Sequence, residues 1–157
     1  MKTPKIYLET TVFNFLFADD APEKKADTIK LFEEIKDGKY IPYTSDAVLE
    51  ELEKASKEKF DQMFALIEKY SMITLTVNEE AKRLAMIYIK EGVIPEKYPT
   101  DALHIAVSTV NDLDYVVSYN FKHIVKVKTI TMTESINLRE NYKRIGIFSP
   151  TEVIDND

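Results

Sequence analysis

The chain has 157 residues, 45% of them apolar, and this length and composition fit a single folded domain, which we expect to span residues 1–157. It contains no cysteine, which excludes disulfide bonds, cysteine-ligated zinc and a thiol nucleophile, and its two histidines, His104 and His123, exclude a three-histidine site within one chain. The net charge of −6 means that any nucleic-acid role must rest on a local basic patch or on bound metal ions, because phosphate binding needs positive charge.

Short β-prone runs alternate with helical patterns through the first half of the chain. Lys5–Leu8 is predicted to be a strand, followed by a short apolar helix or turn around Val12–Phe17 and a helix from Pro22 to about Asp37. A second strand is predicted at Tyr40–Thr44, although Pro42 weakens it. The next elements are a helix capped by Thr44 or Ser45 and ending near Ala55, a helix over about Lys57–Lys69, a strand at Met72–Val77, and the helix Glu79–Lys90 capped by Asn78.

In the second half, Thr100 is predicted to cap a buried helix that begins around Asp101. Tyr115–Ser118 has the pattern of a buried strand, whereas Ile124–Met132 is β-branched but rich in lysine and threonine and has no clear pattern. A helix over Glu134–Lys143, a strand at Ile145–Phe148 and a short terminal helix beginning at Ser149-Pro150 complete the chain. Strands that alternate with helices predict an α/β fold with a mostly parallel central sheet covered by helices on both faces.

The helix at Asp101 places an acid where it can serve a site. Ala102, Leu103, Ala106, Val107 and Val110 form a broad apolar stripe, so the helix is predicted to be buried. An acid in the first turn lies at the positive end of the helix dipole, stays ionised there and can hold a cation. Taken alone, Asp101 is better explained as a favourable first-turn acid, because acids are common at that position.

Other polar residues follow predicted strands. Glu9 comes directly after the first strand and Asn120 comes shortly after the Tyr115 strand, while Asp101 opens the helix that leads into that strand. Since sites in parallel α/β sheets form beyond the carboxyl ends of the strands, these residues are expected near one sheet edge.

Glu51 is a fourth candidate, on the helix after the second strand. Helical spacing puts it beside the apolar stripe of Val48, Leu52 and Ala55. A carboxylate at the border of a buried face needs a partner, because an unpaired buried charge is costly. The alternative is a boundary residue that reaches water.

Together, Glu9, Glu51, Asp101 and Asn120 would gather three carboxylates and an amide oxygen. Such an all-oxygen set suits Mg²⁺ or Mn²⁺. A metal held by so few protein ligands keeps waters, can supply a hydroxide nucleophile and can neutralise charge on a phosphate.

The sequence resembles PIN-domain proteins, in particular the VapC-like toxins of prokaryotic toxin–antitoxin systems. Four blocks carry the resemblance: Ile6-Tyr7-Leu8-Glu9-Thr10-Thr11-Val12, Ser45 through Leu52, Asp101-Ala102-Leu103-His104-Ile105-Ala106, and Val117 through Ile124. The resemblance implies a three-layer α/β/α sandwich and a metal-dependent ribonuclease. It also implies roles for Glu9, in place of the family's first-strand aspartate, and for Glu51, Asp101 and Asn120. The longer Glu9 side chain and the uncharged Asn120 depart from the usual acids, which would shift the metal or weaken a second one.

Several neighbouring residues have two interpretations. Thr10 or Thr11 could orient a metal-bound water or simply cap a turn, and Ser118 could support Asn120 or end a strand. His104 is expected to be structural, while His123 could touch a phosphate or pack. Local positive charge could come from Lys122, Lys126 and Lys128, which could equally face solvent. The aromatic residues Phe13, Phe15 and Phe17 are expected in the core rather than at a dimer interface.

These residues are compatible with two functions and disfavour a third. The first is a metal-dependent endoribonuclease, the toxin of a type II toxin–antitoxin pair, with Mg²⁺ or Mn²⁺, an RNA substrate, a cognate antitoxin and a homodimer as expected partners. The second is a PIN-like RNA- or protein-binding module that has lost catalysis. A receiver-type or phosphatase domain is disfavoured, because Glu9-Thr10-Thr11 lacks the aspartyl nucleophile. We see no apolar run that could cross a membrane and no signal peptide, so a cytoplasmic protein is expected.

Overall fold

A five-stranded sheet forms the centre of the molecule. The computed structural model describes residues 2–155. Its strands are β1 (Lys5–Leu8), β2 (Ile41–Ser45), β3 (Ile73–Leu75), β4 (Tyr115–Val117) and β5 (Gly146–Phe148). They lie in the order β3-β2-β1-β4-β5, and every neighbouring pair is parallel. The predicted mostly parallel sheet is therefore confirmed, and no antiparallel pair occurs within residues 2–155.

Helices connect the strands and cover the sheet. They are α1 (Thr10–Phe17), α2 (Pro22–Lys36), α3 (Asp46–Ala55), α4 (Lys57–Tyr70), α5 (Glu79–Lys90), α6 (Pro99–Val110), α7 (Val127–Arg139) and α8 (Pro150–Val153). The chain moves from β1 to β3 in one direction across the sheet and from β4 to β5 in the other. Because such crossovers are right-handed, the two sets of connecting helices cover opposite faces and give a three-layer α/β/α sandwich. Within residues 2–155, none of the helices combines the length and the apolar character that a bilayer span requires.

The central strand β1 is buried on both faces. Ile6, Tyr7 and Leu8 have no exposed surface, which accounts for a continuous apolar run in place of strict alternation. In the neighbouring strand β2, Pro42 follows Ile41, whose amide donates to Pro4 on the β1 side. The missing amide hydrogen of Pro42 therefore faces the β3 side, where pairing begins only at Tyr43. This position allows a proline in an internal strand.

Two helix starts show the predicted capping. The Ser45 hydroxyl accepts a hydrogen bond from the Ala47 amide (3.2 Å) at the start of α3, and the Asn78 side chain accepts one from the Ala81 amide (2.9 Å) at the start of α5. These bonds satisfy amides that the first helical turn leaves without partners. Ser149 likewise starts α8, in a capping box with Glu152.

Two local predictions are wrong. Thr100 is not the cap of α6, because the helix already begins at Pro99, whose fixed φ angle suits the first helical position. The helix predicted over Glu134–Lys143 has the wrong bounds: α7 covers Val127–Arg139, so it begins inside the stretch that has no clear pattern and ends four residues earlier than predicted. Its buried face contains Thr129, Thr133, Ile136 and Asn137 at helical spacing, so threonines occupy positions where apolar residues were expected.

Candidate metal centre

The candidate site lies at the carboxyl ends of the two central strands. Glu9 follows β1 directly, and Ser118 follows β4, whose Val117 is paired with Leu8. The Glu9 amide extends this pairing by donating to the Val117 carbonyl (3.1 Å). The strand order reverses between β1 and β4, and such a switch point opens the crevice in which ligands of α/β proteins bind.

Glu9 is 2% exposed and is held through one of its two oxygens. Its Oε1 accepts hydrogen bonds from the Thr11 hydroxyl (2.5 Å), the Thr11 amide (3.3 Å) and the Ser118 hydroxyl (2.6 Å). Because its side chain accepts the hydrogen bond from the Thr11 amide, Glu9 is also the N-cap of α1. Among residues 2–155 no hydrogen bond reaches Oε2, so this oxygen is free to bind a cation.

Glu51 lies beside Glu9 and is held by two donors. Its Oε1 accepts a hydrogen bond from the Thr10 hydroxyl (2.6 Å) and lies 2.6 Å from Nε2 of His104. The Glu51 side chain is 35% exposed, whereas His104 has no exposed surface. Glu51 is therefore a boundary residue that is nevertheless fixed toward the interior. One possible ligand atom from each of Glu9, Glu51 and His104 lies within 4.8 Å of the other two.

A buried chain of hydrogen bonds supports His104 from behind. Its Nδ1 lies 2.6 Å from the Tyr7 hydroxyl, which in turn lies 2.7 Å from the Ser45 hydroxyl. Tyr7, Ser45 and His104 all have no exposed surface. The ring is therefore fixed at both nitrogens, which determines where Nε2 meets Glu51.

The charges of the cluster influence one another strongly. Burial raises the pKa of Glu9, and the nearby His104 and the hydroxyls of Ser118 and Thr11 only partly oppose this rise. Burial acts against the charged forms of Glu51 and His104 as well, but their mutual hydrogen bond and charge outweigh it, so the pKa of Glu51 falls and that of His104 rises. Two carboxylates in a largely buried pocket thus favour positive charge beside them.

Asp101 and Asn120 lie outside this group of three. Asp101 Oδ2 is 2.9 Å from Nδ1 of His123. Asp101 is one helical turn before His104 on α6, and its charge contributes to the raised pKa of His104. The Asn120 side-chain oxygen accepts the His123 amide hydrogen bond (2.9 Å), so Asn120 caps the turn that presents His123 to Asp101.

The hydroxyls around the acids support the carboxylates, and the nearby aromatic and basic residues lie in different environments. Thr10 and Thr11 orient carboxylates, one bound to Glu51 and the other to Glu9. Ser118 directly follows the last residue of β4, and its hydroxyl supports Asn120 by accepting a hydrogen bond from the Asn120 amide (2.9 Å). The same hydroxyl also donates to Glu9. Phe13 is buried in the core, as expected. The remaining aromatic and basic residues are distributed as follows: Phe15 packs on Tyr119, Phe17 is partly buried, and Lys122, Lys126 and Lys128 are exposed.

Sequence reasoning undervalued His104. A structural role is predicted because His104 lies away from the centre of the apolar stripe of α6; in the structure it is buried and also bonds the Glu51 carboxylate of the candidate site. Its participation could have been predicted from two facts: His104 lies three residues after Asp101, and α6 is buried on nearly every side. A buried histidine needs polar partners.

The donor chemistry of this region fits a divalent cation. Glu9 and Asp101 each have one carboxylate oxygen that no hydrogen bond uses within residues 2–155, and Glu51 completes a set of three acids. Carboxylate oxygens suit Mg²⁺ and Mn²⁺, and an imidazole suits the later transition metals. The single side-chain oxygen of Asn120 already accepts a hydrogen bond, so it fits this role less well.

The fold is similar to that of one chain of a solved complex, although the two sequences share little identity. No protein-family model and no curated protein matches this sequence. Among solved structures, it resembles a chain of the crystal structure of VapBC2 from Rickettsia felis bound to a DNA fragment from their promoter. The TM-score is 0.54 with 14% identity, and the match covers 92% of this chain and 98% of the other. The chain therefore has the PIN-like fold that its sequence resemblance implies.

Proposed function

We propose that this protein is a metal-dependent endoribonuclease and the toxin of a type II toxin–antitoxin pair. The observation that carries the proposal is the largely buried cluster of Glu9, Glu51 and His104 at the switch point of the sheet, one helical turn from Asp101. The likeness to a chain of a VapBC2 complex supports a cognate antitoxin as a partner. A homodimer and a cytoplasmic location belong to the same proposal.

Glu9, Glu51 and Asp101 would hold the cation, with the Asn120 oxygen as a weaker fourth candidate. A divalent cation here would polarise the scissile phosphate and activate water for hydrolysis. The protein's own part is to fix the acids: Thr11 and Ser118 hold Glu9, Thr10 and His104 hold Glu51, and His123 holds Asp101. Such supporting hydrogen bonds orient metal ligands and preserve their charge.

The test is calorimetric titration of Mn²⁺ or Mg²⁺ into the wild type and Asp101→Asn, followed by RNA cleavage assays on both. We expect the variant to lose metal binding and cleavage while its circular dichroism spectrum stays unchanged, because asparagine can still accept the hydrogen bond from His123. Asp61→Asn, an exposed acid on α4, is the matched control and should behave as the wild type. Unchanged cleavage by Asp101→Asn would contradict the proposal.

The second candidate is a PIN-like RNA- or protein-binding module without turnover. It is favoured by the pairing of Glu51 with His104, which already places a balancing charge in the cluster, and by the engagement of the Asn120 oxygen with His123. This candidate predicts that RNA binding persists in EDTA and that no product forms with any divalent cation. Metal-dependent cleavage by the wild type would exclude it.

A further inference from the structure

We infer that Phe121 and Tyr98 are base-stacking residues that select an unpaired stretch of RNA beside the acid cluster. This inference rests on the proposed function and assigns a task to two aromatic rings that the metal chemistry does not use. Phe121 is 50% exposed and Tyr98 is 42% exposed. Both rings lie on segments that contribute to the candidate site.

Tyr98 is connected to the site through a histidine. Its ring centroid lies 4.2 Å from that of His123, with the two planes tilted by 36°. His123 in turn bonds Asp101, which lies three residues beyond Tyr98. A base that stacks on the exposed face of Tyr98 would therefore have its sugar and phosphate near Asp101.

Phe121 lies on a rigid turn next to the same histidine. The Asn120 carbonyl accepts the amides of Ile124 (3.0 Å) and Val125 (2.8 Å), and the Asn120 side chain accepts that of His123. The ring has no aromatic partner within residues 2–155, and its one close cation is the Lys24 ammonium, 6.0 Å from the ring centroid. A half-exposed ring on a hydrogen-bonded turn can stack on a base with little conformational entropy to lose on binding.

The charges around the rings favour RNA over a protein partner. Lys24 and Lys122 are both exposed, and they supply positive charge in a chain whose net charge is −6. A protein-docking surface is usually a contiguous apolar patch, whereas here the His123 imidazole packs against Tyr98 and the Lys24 ammonium lies over Phe121. Bases inside a duplex are already stacked on each other, so only unpaired bases can reach these rings.

The test is the binding of a fluorescein-labelled 12-nucleotide oligo(A) RNA, measured by anisotropy in EDTA. Stacking on an aromatic side chain contributes enough that Phe121→Leu and Tyr98→Leu should each weaken binding about tenfold. Phe64→Leu is the matched control, since Phe64 is 51% exposed on α4, where it packs on Phe60, and it should bind as the wild type. A 12-base-pair duplex of the same length should bind more weakly than oligo(A).

Salt dependence gives a second readout. Two lysines on single-stranded RNA predict a slope of about −1.4 for log K against log salt, at about −0.7 per phosphate contact. A slope of about −4 or steeper would mean that phosphate contacts dominate and would overturn the inference. Wild-type affinity in both leucine variants, or equal affinity for the duplex, would overturn it as well.

The outcomes separate this inference from the proposed function. If the wild type cleaves RNA with Mn²⁺ and the leucine variants do so with unchanged KM, the inference fails and the nuclease stands. If oligo(A) binding depends on the rings but no divalent cation produces cleavage, the inference stands and the nuclease fails. Absence of both binding and cleavage overturns both.

Discussion

The Tyr7 hydroxyl connects His104 to Ser45, and the effect of its removal on the free energy of unfolding can be worked out from the structure. Tyr7→Phe keeps the buried ring but deletes a group that lies 2.6 Å from His104 Nδ1 and 2.7 Å from the Ser45 hydroxyl. The Ser45 oxygen still accepts the Ala47 amide hydrogen bond, so most of the cost arises at the imidazole nitrogen, which is left buried without a partner. One lost hydrogen bond plus one unsatisfied buried atom predicts a loss of about 2 kcal/mol in the free energy of unfolding. For a chain of this size, that lowers Tm by about 4–8 °C.

The assay is urea unfolding followed by circular dichroism, with a thermal melt in parallel. Tyr43→Phe is the control, because the Tyr43 side chain is only half-buried and its hydroxyl makes no hydrogen bond within residues 2–155. Its free energy of unfolding should stay within about 0.5 kcal/mol of the wild type. A loss in Tyr7→Phe no larger than that of the control would refute the reasoning that the buried chain holds His104.

Ser118→Ala removes a hydroxyl that lowers the pKa of Glu9, so that pKa should rise further and Mn²⁺ affinity, measured calorimetrically, should fall about tenfold. Gly146→Ala would place a Cβ 2.5 Å from the Phe148 ring, so the free energy of unfolding in urea should fall by about 1–3 kcal/mol, and an unchanged midpoint would contradict this. Burial acts to raise the pKa of Asp114, but hydrogen bonds from the Lys5 amide and the Lys143 ammonium outweigh it and lower the pKa. Ionised Asp114 therefore stabilises the fold above the ordinary carboxyl pKa, and this stability is lost as the pH falls through the lowered value. Asp114→Asn should thus destabilise the protein at pH 7 and have less effect near pH 3, and an equal loss at both pH values would contradict the assignment.

The fold could be predicted because strand and helix patterns are local. The buried run Ile6–Leu8 and the caps Ser45 and Asn78 depend on nearby residues alone, and the structure has them as expected. Helix α7 was missed because its threonines fill a buried face through tertiary packing that periodicity of apolar residues does not show.

The candidate site could be predicted only in part. Strand ends indicated where Glu9 would lie, and helical spacing indicated the inward border for Glu51. Which hydroxyl or imidazole pairs with each acid depends on contacts across the fold, such as the one between Glu51 and His104, 53 residues apart. The pairing of Asp101 with His123 is of the same kind, since it requires the turn after β4 to fold back over the start of α6.

The central position of β1 has a consequence for the order of folding. Of the five strands, β1 is synthesised first, and β2 can pair with one of its edges early. The other edge of β1 can pair only after β4 has been synthesised. The Glu9–Ser118 hydrogen bond at this edge joins residues 109 apart. Contacts of such long range form late, because closing the loop costs entropy before any contact compensates for it. A nascent chain therefore holds Glu9 without Ser118, and without the helix that supplies Asp101 and His104. For the proposed nuclease, this means that the acid cluster is complete only after α6 and β4 have been synthesised and have packed against β1.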